Sequence, residues 1–85
     1  MSEKGVILIV DDNPTNLKLL VDTLTGADFR IFVATNGEKA LERVAQERPD
    51  LVLLDVMMPP GIDGFEVCRR LKEDPDTQDI PVIFM

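Results

Sequence analysis

Three aspartates in this 85-residue chain sit where chemistry is possible. Asp11 and Asp12 follow an unbroken apolar run, Val6-Ile7-Leu8-Ile9-Val10, and Asp55 closes a second, Leu51-Val52-Leu53-Leu54. In an open α/β sheet, ligands bind beyond the carboxyl ends of the strands. If the two runs are neighbouring parallel strands, all three carboxylates enter one cavity. Such charges repel strongly in a partly dry pocket, so they take up protons or a cation neutralises them. Magnesium is the expected cation, because it prefers oxygen ligands and keeps waters for an incoming phosphate. A carboxylate can also act as a nucleophile and carry a phosphoryl group as an acyl phosphate. Being already ionised, it needs no general base; a metal and nearby donors do most of the catalysis.

Taken singly, these residues have plainer readings. Asp11, Asp12 and Asn13 could simply cap a helix, whose dipole favours acids at its start. Asp55 alone could be a solvated turn residue. Two apolar strands that both end in acids are harder to explain without a function.

The elements that must position these acids follow from periodicity. Val6 to Val10 suits a strand buried on both faces. Asn13 is a candidate N-cap and Pro14 fits the first helical position. Leu17, Leu20, Val21 and Leu24 then form one stripe of a helix, and Gly26 stands where it should end. Phe29 to Ala34 reads as a second strand, and Asn36-Gly37 as a turn. Ala40, Leu41, Val44 and Ala45 mark a second helix, closed by Pro49. After the third strand, Met57 to Gly61 is a loop. Phe65, Cys68 and Leu71 space a third helix ending near Pro75. A fourth strand begins at Ile80, with Pro81 near its start. Strands alternating with helices on short loops predict a parallel sheet wrapped by helices.

Composition narrows the function. The chain is long enough for one small domain. Its hydrophobic fraction is 45% and its net charge −7, so it can form a core but is a poor partner for nucleic-acid phosphates or anionic membranes. No apolar run approaches the ~20 residues that span a bilayer, and the start lacks a signal-peptide core. Cys68 is the lone cysteine. Together these features predict a cytoplasmic setting, with Cys68 packed on a helix. The segment Asp74 to Asp79 has two acids at calcium-loop spacing, but no glycine at the sixth position and no acid at the twelfth; it reads as a polar loop.

The segments Ile7-Leu8-Ile9-Val10-Asp11-Asp12, Asp55-Val56-Met57-Met58-Pro59 and Gly61-Ile62-Asp63-Gly64-Phe65-Glu66 resemble the receiver domains of two-component response regulators. The resemblance runs along the whole chain. It implies a flavodoxin-like doubly wound parallel sheet in the order β1-α1-β2-α2-β3-α3-β4, with strands arranged 2-1-3-4. It implies Asp55 as phosphoacceptor, Asp12 as a direct magnesium ligand and Asp11 as a ligand directly or through water. The backbone carbonyl of Met57 resembles the family's third protein ligand. Pro59 and Gly64 look structural. The implied donor is a phosphohistidine on a sensor histidine kinase or histidine phosphotransfer protein; this chain has no histidine, so it is not its own donor. The family's role is that of an acceptor, not a multiple-turnover enzyme.

Two features depart from the family pattern. The loop after Asp55 is one residue longer than the commoner spacing, which should bulge the loop without moving Asp55. The chain also reaches Met85 before the family's hydroxyl residue after strand four and its Lys at the end of strand five. Residues 1–85 therefore read as a receiver domain truncated after the fourth strand, without α4-β5-α5. Such a chain is expected to be unable to signal, to accept phosphoryl groups only weakly, and to form a homo-oligomer through the exposed edge strand. Two rivals stand beside this reading. One is a magnesium-dependent phosphohydrolase with an aspartate nucleophile; such enzymes of the haloacid dehalogenase type use Asp-x-Asp, whereas the position two after Asp11 is Asn13. The other is an interaction module without phosphorylation.

Overall fold

Four short apolar strands pack against three helices. A computed structural model describes residues 5–57 and 61–85. Its elements are β1 (Val6–Val10), α1 (Pro14–Thr25), β2 (Arg30–Ala34), α2 (Gly37–Glu47), β3 (Leu51–Leu54), α3 (Gly64–Glu73) and β4 (Val82–Phe84). All strand pairs are parallel, in the order β2-β1-β3-β4. This is the flavodoxin-like arrangement expected from the sequence, with β1 and β3 as neighbours although a strand and two helices separate them in the chain.

Register follows from the alternation of side chains along each strand. Leu8 pairs with Val52 and Val10 with Leu54, and these four share one face with Val44 of α2 and Val67 and Leu71 of α3, where they form the core. Ile7 and Ile9 point to the other face, which α1 covers; both are buried. The continuous apolar run of β1 is thus explained by burial on two sides. The α1 stripe is less deep than its pattern suggests. Leu17, Leu20, Val21 and Leu24 are half-buried, and no α1 residue is fully buried.

Helix ends are fixed locally. Asn13 accepts from the amides of Thr15 and Asn16, and Pro14 occupies the first turn. Asn36 caps α2 through Lys39, and Asp63 caps α3 through Glu66. Gly26 ends α1 as expected but in right-handed backbone; the left-handed position falls two residues later, at Asp28, with φ 72°. Arg48, with φ 44°, ends α2 just before the buried Pro49. On α3, Arg69 and then Arg70 bond the Glu66 carboxylate and hold its pKa down at about 2.

The third helix presents a different face from the one its spacing suggested. Val67 and Leu71 are buried, Cys68 is half-buried, and Phe65 is 60% exposed. Phe65 leans instead on Phe84 of β4, with ring centroids 5.2 Å apart. The fourth strand is short, and Ile80 is buried in the turn before it. That turn is held by Thr77, whose hydroxyl donates to the Leu71 carbonyl at 2.7 Å. Among the described residues, no helix is long and apolar enough to cross a membrane.

Leu54 has no exposed surface and lies at the centre of the core. Leu54→Ala is expected to cost about 2–5 kcal/mol, read as a lowered urea midpoint, and Asn13→Ala about 1 kcal/mol through the lost cap. Equal costs for the two would show that the core does not carry the stability argued for it.

Candidate functional site

The acids are delivered by backbone pairing. The Asp11 amide donates to the Ala34 carbonyl at 3.1 Å, continuing the β1–β2 ladder. The Asp55 amide donates to the Val10 carbonyl at 2.9 Å, continuing the β1–β3 ladder. Both residues are therefore fixed to the same strand end. One carboxylate oxygen from each of Asp11, Asp12 and Asp55 lies within 4.8 Å of the others.

The three differ in surroundings. Asp11 is buried, Asp55 is half-buried and Asp12 is exposed. Asp11 accepts from the Asn13 amide at 2.9 Å and from the Asn16 side-chain amide at 3.3 Å, which satisfies its buried oxygens. Asp55 accepts from the Met57 amide at 3.2 Å. Burial raises the Asp55 pKa above its ordinary value; the Met57 amide opposes this, and the charges of Asp11 and Asp12 add to the rise. At this separation a pair of carboxylates repels by roughly 3–4 kcal/mol in a partly wetted cleft. Three hard oxygen donors converging this closely suit a small divalent cation far better than a soft or large one.

Helix α3 also bears on the site. The Gly64 amide donates to the Val56 carbonyl at 2.9 Å. A Cβ on Gly64 would collide with the Asp55 carbonyl oxygen and lie 2.9 Å from the Val56 Cα. Glycine at this position lets α3 start directly against the backbone that carries Asp55.

Two sequence features fit this geometry and two were missed. The convergence of the acids and the structural place of Gly64 were both expected. Asn16 was missed as a partner of Asp11; its signal was a polar side chain in the first turn of α1, next to the strand end. The bond from the Met57 amide to Asp55 was missed because backbone donors leave no trace in residue types. The Met57 side chain is 71% exposed. The expectations for Met58, Pro59 and the lengthened loop fall at residues 58–60, outside the described residues.

Residues 7–85 match the family model for the response regulator receiver domain. The chain belongs to the response regulator receiver family. The response regulator PleD of Caulobacter vibrioides is 49% identical to this receiver domain over 79 residues, 93% of the chain and 17% of PleD. The N-terminal domain of a response regulator receiver protein from Methanoculleus marisnigri superposes with a TM-score of 0.92 at 44% identity, covering 96% of this chain and 66% of that one. The Mn(2+)-bound form of response regulator Rcp1 superposes with a TM-score of 0.85 at 31% identity, covering 94% and 63%. The receiver domain thus spans about two thirds of these solved chains and a much smaller share of PleD.

The raised Asp55 pKa has a consequence for stability. A fold that raises an acid's pKa favours its protonated form, so that contribution is present below the unfolded pKa and is lost as pH rises through the folded one. In metal-free buffer, Asp55→Asn is expected to melt higher than the wild type at pH 7, with the gap closing as pH falls toward 4. A variant that melts below the wild type across this range would contradict the repulsion argued above.

Proposed function

We propose that Asp55 accepts a phosphoryl group from a phosphohistidine, carried by a sensor histidine kinase or histidine phosphotransfer protein, in a magnesium-dependent step of a two-component phosphorelay. The observation that carries this reading is the convergence of three carboxylates from two strand ends within 4.8 Å. Asp11, Asp12, Asp55 and the backbone carbonyl of Met57 would hold the ion. When bound, magnesium would neutralise the acids and the charge on the transferred group. That the structurally similar response regulator Rcp1 has an Mn(2+)-bound form favours a divalent ion.

The residues of the chain then divide the work. An Asp55 carboxylate oxygen bonds to phosphorus as the phosphorus–imidazole nitrogen bond breaks, and the electron pair leaves with the imidazole. The product is an aspartyl phosphate. Asp11 is oriented by the Asn13 amide and the Asn16 side chain, and the Met57 amide aims Asp55. The chain acts once per phosphoryl group, as an acceptor and not as a turnover enzyme. We place this activity in the cytoplasm, in keeping with the lone Cys68, and away from nucleic-acid and anionic membrane surfaces on the strength of the −7 charge. The relatives carry further residues beyond this segment, and output signalling is assigned to those.

Incubation with acetyl phosphate and magnesium should add the mass of one phosphoryl group to the wild type and none to Asp55→Asn. Asp12→Asn should slow the addition about 10- to 100-fold. Labelling of the Asp55 variant at the wild-type rate, or multiple turnover on a phosphate ester, would refute the assignment.

A self-association reading rests on strand β4. Its outer edge is unpaired among the described residues, and Ile83, Phe84 and Met85 are 53%, 41% and 44% exposed. Apolar edge strands of this kind recruit a second copy. Light scattering of the 85-residue chain should give a dimer or larger species, and Ile83→Lys should shift it toward monomer. A monomeric wild type at high concentration would remove this part of the proposal.

A further inference from the structure

The sheet edge opposite β4 is flanked by positive charge. Among the described residues, β2 pairs with β1 alone. The Arg30 amide and the Ala34 carbonyl both bond toward β1. Backbone groups alternate in direction along a strand, so the amides and carbonyls of Ile31 and Val33 face outward. A groove of about 400 Å³ lies where this strand meets α2, lined by residues 33–35 and by Lys39, Glu42, Arg43 and Gln46 of the helix. Next to it, the guanidinium carbons of Arg30 and Arg43 lie 5.3 and 5.5 Å from the centre of the Phe32 ring. Phe32 is itself packed against the core, so the ring holds both cations beside the open edge.

These cations lack acids. Lys18, Arg69 and Arg70 each pair with a carboxylate, whereas Arg30, Lys39 and Arg43 join no ion pair among the described residues. The chain has 16 acids and 9 bases, so carboxylates are plentiful, yet none neutralises this edge.

From this we propose that the β2 edge docks an extended acidic segment of a partner protein. The segment adds as a further strand beside β2 and sets carboxylates at alternate positions against Lys39 and Arg43. In strand addition the backbone bonds supply affinity and alternate side chains supply specificity. The spacing fits. Alternate residues of a strand lie about 6.6 Å apart, and residues four apart on a helix rise about 6 Å. The outward carbonyls of Ile31 and Val33 require N–H donors. A peptide backbone has them and a nucleic-acid phosphate backbone does not, which favours an acidic peptide over an RNA. Glu42 repels a carboxylate set beside it, so the groove selects for position as well as charge. The proposal does not depend on the phosphoacceptor reading.

The probe is a labelled peptide, Gly-Glu-Val-Glu-Val-Glu-Gly. It is compared with a peptide of the same composition whose three Glu are contiguous, with one carrying Lys for each Glu, and with two versions N-methylated on alternate amides in either register. Binding to the 85-residue chain is followed by fluorescence anisotropy and by NMR of the backbone amides. The alternating acidic peptide should bind, shift the Ile31 and Val33 amides and slow their exchange. The contiguous acidic peptide should bind more weakly, and the Lys peptide should not bind. One methylated version should lose binding and the other keep it, because only every second amide of an added strand faces β2. Arg43→Gln and Lys39→Gln, with helix content unchanged by circular dichroism, should each weaken binding about two- to fivefold.

Failure of the alternating acidic peptide to bind overturns the proposal. So does equal binding of both acidic peptides with Ile31 and Val33 unmoved, or displacement of the peptide by inorganic phosphate or a short RNA, because the edge is then a general anion site. Shifts confined to Ile83 and Phe84 overturn it as well, since the apolar β4 edge is then the one that takes the strand.

Discussion

The adjacency of two parallel strands governs this molecule. β1 and β3 lie side by side with Val10 opposite Leu54, so the residues that follow them leave the sheet at the same level. Asp11, Asp12 and Asp55 are those residues. Their mutual repulsion is a cost that the core must offset, and the core does so with side chains from the same strands. Leu8, Val10, Val52 and Leu54 are fully or almost fully buried. The strands that stabilise the fold are thus also the ones that aim the acids, and a shift of register by one residue would turn the core out and separate the carboxylates.

Around this fixed point, the restraints on the site come from polar groups of very different origin. Asp11 is held by Asn13 and Asn16 from the first turn of α1. Asp55 is held by the backbone of Met57 and backed by the start of α3 at Gly64. Two of the helices, α1 and α3, therefore meet the site at their N-terminal ends, the ends whose dipole favours an anion.

The two faces of the sheet are not equally covered. α2 and α3 share one face with a continuous core, whereas α1 covers β1 and β2 on the other and leaves Ile83 of β4 exposed. On the well-covered face, β4 ends in the Phe65–Phe84 pair, itself partly open to solvent. Apolar area at a sheet edge is where further chain or a second molecule gains most from burial. That edge is also close in sequence to the end of β4, so whatever covers it stands near the strand ends that carry the acids.

Much of this was determined by the sequence alone. Apolar runs of four and five residues ending in acids marked β1, β3 and their chemistry, because a strand buried on both faces admits no polar residue until it ends. Asn13-Pro14 marked the start of α1, because capping is a local interaction between residues two or three apart. The order of elements pointed to a parallel sheet, since short links leave few other ways to pack strands between helices. Only the tertiary structure decided the rest. Phe65 looked like a core position by spacing, yet it lies on Phe84, because the helix rotates to bury Val67 and Leu71. Asn16 and the amide of Met57 became partners of the acids through turns whose geometry residue types do not encode. Glu38 and Gly37 meet Ile62 only because α2 and α3 pack on the same face, and contacts across 24 residues depend on that packing and leave no local pattern to read.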